Sequence, residues 1–275
     1  MILVDISNIL FRMIYGESSD KKSEMNLSMV RKLCFNKLKM LERRFPNESL
    51  VICFDQGKSW RFDIHPGYKS GRKKVMDERK IMAREFFSHL KEEFLVNLPY
   101  LMCFYDRAEA DDVMATLSFI DGIHTIVSGD GDMIQLTSDR VVIFNPFNLK
   151  GAGSFMPCFD TDRFKYEHVM CGDGGDSVPN AKSPLNTFES GGRQTPMAQK
   201  FQDAFYSDYI NSNYGSLSER IKQNQQLVLL ESTVIPADIQ AGILTNFEED
   251  KLKLKKRIRN FVNYVLANDL ALVIA

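Results

Sequence analysis

The 275-residue sequence has no long hydrophobic run. Its longest, Leu101–Tyr105 and Leu270–Ala275, fall far short of the ~20 residues that a membrane span needs. The opening Met-Ile-Leu-Val-Asp has no basic stretch and reaches an acid at Asp5, so no signal peptide is expected. Cysteine is scarce and unpaired in pattern: five residues (Cys34, Cys53, Cys103, Cys158, Cys171), an odd number with no CxxC. That argues against a disulfide scaffold and a cysteine zinc site, and for reduced thiols in a cytosol. Net charge is nearly absent at −1, so bulk electrostatics do not announce a nucleic-acid partner. None of the four histidines, His65, His89, His124 and His168, falls in a recognisable motif. No internal repeat is present. What remains is ordinary for a globular chain, 44% hydrophobic and 26% charged, which excludes a disordered or collagen-like protein. The length suits one large α/β domain or two smaller units.

Four apolar runs read as strands. Ile2-Leu3-Val4 ends in Asp5, Leu50–Phe54 ends in Asp55, Leu101–Tyr105 is followed by Asp106, and Thr125-Ile126-Val127 leads into Ser-Gly-Asp130-Gly-Asp132. Each is continuous rather than alternating, as strands buried on both faces of a parallel sheet require. Helical stretches lie between them: 26–44 with a cap at Asn26-Leu27-Ser28, then 76–95, then 107–120. The alternation predicts a doubly wound α/β sheet over 1–150. Residues 151–275 are less regular, with a Gly-rich turn at 172–175 and then helices, and read as a helical portion packed on that core.

Three of the four strand runs deliver acids at their C-terminal ends: Asp5, Asp55, and Asp130 with Asp132. Ligands of open α/β sheets bind outside those ends, at the switch in strand order, so these acids should converge. The helix at 107–120 opens with Glu109-Ala-Asp111-Asp112. Glu109 and Asp112 share a face there, whereas Asp111 lies off it unless the first turn distorts. Asp173 and Asp176 add two more acids in the Gly-rich turn. Taken singly, each acid reads as a turn or cap residue; together they make up to nine carboxylates aimed at one region. Two unit charges ~4 Å apart repel by about 4 kcal/mol at an effective dielectric of ~20. Either several of the acids are protonated, or divalent cations sit among them. Oxygen donors without Cys or His select hard ions, Mg²⁺ or Mn²⁺, and this many acids suit two metals. A calcium loop starting at Asp130 fails, because its twelfth position is Val141.

The segment 57–84 holds nine basic residues, among them Lys58, Arg61, Lys69, Arg72, Lys73 and Lys74, against three acids, with Trp60, Phe62, His65 and Tyr68 interleaved. A basic run is most often a solvated face. This one follows Asp55 directly and so borders the acid-rich end of the sheet. A cationic flap beside an anionic site suits a phosphate polymer, with aromatics able to stack on unpaired bases. A second basic run, 251–259, has six cations and no acid. At helical spacing its Leu252, Ile258 and Val262 read as a core stripe with a solvated basic back; a duplex or replication-protein contact is the other reading.

In this order the motifs resemble those of the flap endonuclease, or 5′-nuclease, family: Asp5, Asp55, Tyr68-Lys69-Ser70-Gly71-Arg72, Glu109-Ala-Asp111-Asp112, Ser128-Gly-Asp130-Gly-Asp132 and Gly172-Asp173-Gly-Gly-Asp176. Asn26–Arg31, Arg193–Pro196 and Leu227–Pro236 are similar to its bacteriophage ribonuclease H branch. The resemblance implies a PIN-like α/β core with metal site and basic helical arch (57–84), and a helical portion containing a helix–three-turn–helix-like DNA-binding element. It implies two Mg²⁺ ions, with Mn²⁺ as a substitute. Asp5, Asp55, Glu109, Asp111, Asp112, Asp130 and Asp132 would build one site; Asp130, Asp132, Asp173 and Asp176 would build the other. Lys69 and Arg72 match arch residues that touch substrate phosphate; Lys58, Arg61, Tyr68, Lys73 and Lys74 are further candidates for nucleic-acid contact. Ser177 departs from the usual Asp-Asn ending. Val178–Asn186 replaces the glycine-rich hairpin that grips duplex backbone and often a monovalent ion.

The expected activity is metal-dependent 5′→3′ hydrolysis of RNA–DNA hybrids and of branched or flapped duplex DNA, removing primers during replication. A monomer is expected, in the cytoplasm of an infected bacterial host, with a single-stranded-DNA-binding protein and a sliding clamp as candidate partners. The competing readings are a branched-DNA binding protein that no longer cuts and a PIN-type ribonuclease acting on single-stranded RNA.

Overall fold

The computed structural model describes residues 1–16, 26–73, 78–157 and 160–270. Six strands form one sheet: β1 (Ile2–Asp5), β2 (Leu50–Cys53), β3 (Leu101–Cys103), β4 (His124–Val127), β5 (Val141–Asn145) and β6 (Ser154–Phe155). The spatial order is β3-β2-β1-β4-β5-β6. β1 to β5 are parallel, and β6 alone runs antiparallel, against β5. Order reverses between β1 and β4, so the switch point lies where Asp5 and the 128–132 turn emerge. Two strands escape the sequence reading. β5 is an apolar run, while β6 is two residues long and too short for any pattern. Because β6 lies beyond residue 150, a division there cuts through the β5–β6 hairpin.

The helices are α1 (Ile6–Gly16), α2 (Leu27–Arg44), two single turns α3 (Arg61–Ile64) and α4 (Ser70–Lys73), α5 (Glu78–Asn97), α6 (Ala110–Ser118), α7 (Thr161–Cys171), α8 (Gln199–Ile210), α9 (Ser218–Val228) and α10 (Ala237–Ala267). Alternate strand residues go to opposite faces. Ile2, Val4, Leu50 and Ile52 pack under α1, α2 and α5, whereas Leu3, Val51 and Cys53 pack under α6 and α10. With both faces covered, the strands are apolar throughout, as their sequences require. A third apolar cluster joins α7 and α9 with Tyr68. Among the described residues no helix is long and apolar enough to cross a membrane.

α10 runs antiparallel to β3, with Gly242 against Tyr105 and Arg257 Nη2 donating to the Tyr100 carbonyl. Its buried face holds Asp250, Arg257, Tyr264 and Val265. This overturns the expected core stripe: Leu252, Ile258 and Val262 are 82%, 51% and 61% exposed. The face that packs includes a charged pair, so hydrophobicity alone selects the wrong side of the helix.

Candidate metal centre and nucleic-acid interface

The carboxylates stand where strand ends and helix starts place them. Asp5 closes β1 and caps α1: Oδ1 accepts from the Asn8 N–H at 2.9 Å and Oδ2 from Ser128 Oγ at 2.8 Å. Asp55 follows β2 and accepts from Ser7 Oγ (2.6 Å) and from the Ala110 N–H (2.9 Å), which ties it to the start of α6. Asp130 accepts from the Asp132 N–H at 3.0 Å and so shapes the turn after β4. Asp173 accepts from the Gly175 N–H at 2.7 Å in the turn after α7. That turn needs Gly172, which has φ +67°; a Cβ there would lie 2.4 Å from the Val178 carbonyl.

Asp5, Asp55, Glu109, Asp111, Asp130, Asp132, Asp173 and Asp176 line one open cavity of about 450 Å³. Eight of the nine predicted acids therefore converge from five stretches of chain. Asp112 does not. It is fully buried and accepts from Arg61 Nη1 and Nη2 (2.9 and 2.8 Å) and from Trp60 Nε1 (3.1 Å). The helix-face expectation is thus reversed for these two neighbours. Glu109 is the residue before the helix rather than in it, and Asp112 turns back to close a capping box with it, which leaves Asp111 facing the cavity.

Burial lifts three of the cavity acids toward the neutral form. Asp5 is pushed up to about 7 by burial and the Asp55 charge, and Asp132 to about 7 by burial and Asp130, Asp173 and Asp176. Asp111 is raised by burial and by Asp5 and Asp130. Glu109 goes the other way. Burial pushes it up, but Lys69 and Arg61 outweigh that and hold it at about 2. The donor set is oxygen only, it is under-supplied with counter-charge, and it suits hard divalent cations. Among the described residues no three ligands already close on one point; the carboxylates ring a space that a cation would draw inward.

The arch side of the cavity is bolted to the turn after α7. The Lys69 N–H donates to the Asp176 carbonyl at 2.7 Å, Tyr68 Oη lies 2.7 Å from Asp176 Oδ2 and 2.9 Å from Glu109 Oε2 with one proton to share between them, and the Gly71 N–H donates to Ser177 Oγ at 2.9 Å. Lys69 has φ +56°, and its Nζ pairs with Glu109 and, at 3.5 Å, with Asp176. Two expected nucleic-acid contacts are corrected here. Arg61 is 2% exposed and neutralises Asp112 and Glu109; Tyr68 is 3% exposed and organises acids rather than offering a stacking face. Lys58 stays exposed, 4.8 Å above the Phe62 ring. The side chains of Arg72 and Lys73, and all of Lys74, lie outside the described residues.

Sequence reasoning missed Asn8 and Arg12. They stand three and seven residues after Asp5, on one helical face, and both line the cavity. Arg12 Nη2 donates to the Gly129 carbonyl at 3.0 Å; a Cβ at Gly129 would sit 3.0 Å from the guanidinium carbon, so a larger residue there would push the Arg12 side chain aside. It also missed His168, whose Nε2 lies 3.6 Å from Asp132 Oδ1 and whose ring is kept toward neutral by burial. The loop that replaces the Gly-rich hairpin is organised from within: Arg220 donates to the carbonyls of Ser183 (2.8 Å) and Pro179 (3.1 Å), and Asn224 to Pro179 (3.0 Å).

Residues 1–168 match the family model described as 5′-3′ exonuclease, N-terminal resolvase-like domain. Ribonuclease H of Enterobacteria phage T4 is 27% identical over 281 residues, covering 94% of this chain and 90% of the phage protein. DNA polymerase I of Streptococcus pneumoniae R6 is 27% identical over 90% of this chain, which spans only 29% of the polymerase. Among solved structures, the bacteriophage T5 flap endonuclease in complex with DNA and metal ions superposes with a TM-score of 0.62, 20% identity and coverage of 92% and 98%. That likeness speaks for the fold: a parallel α/β core carrying a helical portion.

Proposed function

Since the chain belongs to the 5′-3′ exonuclease family, we propose that it is a divalent-metal-dependent 5′-nuclease that removes RNA primers and 5′ flaps from replicating DNA. One observation carries the reading. Eight carboxylates from five stretches of chain line a single cavity, and burial and their mutual repulsion raise the pKa values of Asp5, Asp111 and Asp132. Asp5, Asp55, Glu109, Asp111, Asp130 and Asp132 would hold one Mg²⁺ or Mn²⁺, and Asp130, Asp132, Asp173 and Asp176 a second. When bound, such ions supply Lewis-acid activation of water and neutralise the phosphodiester.

The chain's own part is positioning and charge. Ser7, Asn8 and Ser128 fix the carboxylates of Asp55 and Asp5 by hydrogen bonds, so the ligands are oriented before any ion arrives. Among the described residues, Lys69 on one wall and Arg12 on the other are the cations that line the cavity, and they suit the phosphates flanking the scissile bond. Arg72, two positions after Ser70 in the basic segment, is a further candidate for phosphate contact. Hydrolysis would leave the phosphate on the 5′ side of the product. The substrates are RNA–DNA hybrids and flapped or nicked duplexes, and the site of action is the cytoplasm of an infected bacterium.

Purified protein with Mg²⁺ should shorten a 5′-labelled RNA–DNA hybrid from its 5′ end and leave single-stranded RNA largely intact. Asp132→Asn should abolish cutting and bind a flapped duplex within a few-fold of the parent. Cutting retained by that variant would falsify the metal role, and a preference for single-stranded RNA would reject the substrate class.

A further inference from the structure

Four large apolar side chains stand in solvent on the outer face of α10: Leu252 (82% exposed), Ile258 (51%), Val262 (61%) and Leu266 (64%). At 100° per residue they fall within one stripe of about 120°, some 21 Å long. Single exposed apolar residues are ordinary, but four on one arc of a helix, three of them at i, i+4 and i+8 and interleaved with cations, mark an interaction site. Among the described residues, none covers these four side chains. The inner face of α10 is already fully engaged: Phe261 stacks on Phe35 at 6.3 Å, Tyr264 donates to Glu93 at 2.7 Å, and Asn260 donates to the Val96 carbonyl at 2.9 Å.

The stripe is also basic. Lys255, Lys256 and Arg259 are exposed along it, and among the described residues none has an ion-pair partner. Between residues 251 and 268 the sequence has no acid. Only at the upper end is charge balanced, where Lys251 pairs with Glu248 at 2.6 Å. The location sets the stripe apart from the cavity. Arg257 reaches the Tyr100 carbonyl, just before β3 begins, and Asn260 reaches the end of α5. This half of α10 therefore lies at the N-terminal ends of the strands, opposite the carboxylates.

We propose that the outer face of the C-terminal half of α10 is a docking surface for an acidic, amphipathic segment of a partner protein. Such a segment, with apolar side chains every third or fourth residue, would cover the leucine, isoleucine and valine ridge and set its carboxylates against Lys255, Lys256 and Arg259. Duplex DNA would use the cations and leave the apolar ridge in water. A second copy of the chain would oppose like charges across an isologous contact. The inference is independent of the nuclease reading, since it rests on a different end of the molecule.

The test is fluorescence anisotropy with the full chain and a labelled, helix-forming 16-residue peptide of glutamate and leucine at i, i+3, i+4 and i+7. The parent should bind it in the micromolar range. Val262→Ser/Leu266→Ser and Lys255→Glu/Arg259→Glu should each weaken binding by about tenfold or more. A peptide with serine in place of leucine should bind equally poorly to all three proteins. Nuclease rates of both surface variants should stay within about twofold of the parent's, because neither pair touches the cavity. Three results would overturn the proposal: no peptide binding, equal binding of the serine peptide, or a loss of duplex-DNA affinity in the charge-reversal variant while peptide binding persists.

Discussion

Two sets of aspartates in this molecule, removed from solvent to different degrees, have opposite company. Asp112, beneath the start of α6, and Asp250, under α10, each grip a buried guanidinium: Arg61 at 2.8 and 2.9 Å, and Arg257 at 2.8 Å through Nη1. Asp250 also accepts from the Met102 N–H at 2.8 Å, which pins α10 to β3. Asp5 is buried and Asp111 and Asp132 are half-buried, and their charged neighbours are mostly other carboxylates. The same residue type is structural where the chain supplies its counter-cation and a ligand where it does not. Burial alone cannot separate the two; the sign of the nearest charge can.

The largest expected effect breaks the comparison at Asp5. Asp5→Asn should lower Mg²⁺-dependent cutting by at least ~10³-fold, since it removes a ligand outright. The same variant should stabilise the metal-free protein at alkaline pH. Asp5 rises from the ordinary 3.8 to about 7 on folding, so the folded state holds a proton that the unfolded chain has lost. Stability is therefore full below about pH 4 and declines as pH climbs through 7, by up to ~4 kcal/mol for this group. Thermal unfolding at pH 5 and pH 8, with and without Mg²⁺, checks it. The parent should gain more from Mg²⁺ at pH 8 than at pH 5, and Asp5→Asn should lose most of that difference. An equal gain at both pH values would mean that the acids are not relieved by the ion.

The balanced set should respond in the opposite sense. Arg61→Met or Asp112→Leu alone leaves one charge buried without its partner and should destabilise by ~3–5 kcal/mol in urea unfolding. The double variant should recover most of the loss, because both charges leave together. Single variants of parental stability would show that the pair is not closed, and Asp112 would return to the list of ligands.

Much of this was legible before any coordinates. The acids at the ends of β1, β2 and β4 follow from strand polarity, and their convergence follows from the switch in strand order between β1 and β4. What stayed hidden depends on neighbours that sequence spacing does not encode. Asp111 and Asp112 exchanged roles because Glu109 caps α6 instead of joining it. Arg61 and Tyr68 sit in a basic, aromatic segment but point inward, and only the buried acids that they meet reveal it. Asn8 and Arg12 could have been found from their i+3 and i+7 spacing to Asp5, had the helix after β1 been read for polar as well as apolar periodicity. On α10 the buried face was missed because an internal Asp250–Arg257 pair makes it look polar.

The smallest effect sharpens the comparison at its exception. Lys69 is a cation inside the under-balanced cavity, paired with Glu109 and Asp176, whereas Lys58 is exposed at the start of the basic segment. If Lys69 merely neutralised acids, Lys69→Ala would act on stability alone, by releasing Glu109 from about 2 toward the ordinary carboxylate range. That contribution is present above about pH 4.5 and vanishes as pH falls toward 2, so at neutral pH the loss would be plain. If Lys69 also meets substrate phosphate, the slope of log affinity against log salt for a flapped duplex should become shallower by about one, and turnover should fall with it. Lys58→Ala should change the slope by at most about one and leave turnover at saturating substrate alone. An unchanged slope in Lys69→Ala, alongside the stability loss, would assign Lys69 wholly to the balance of the cavity's own charge.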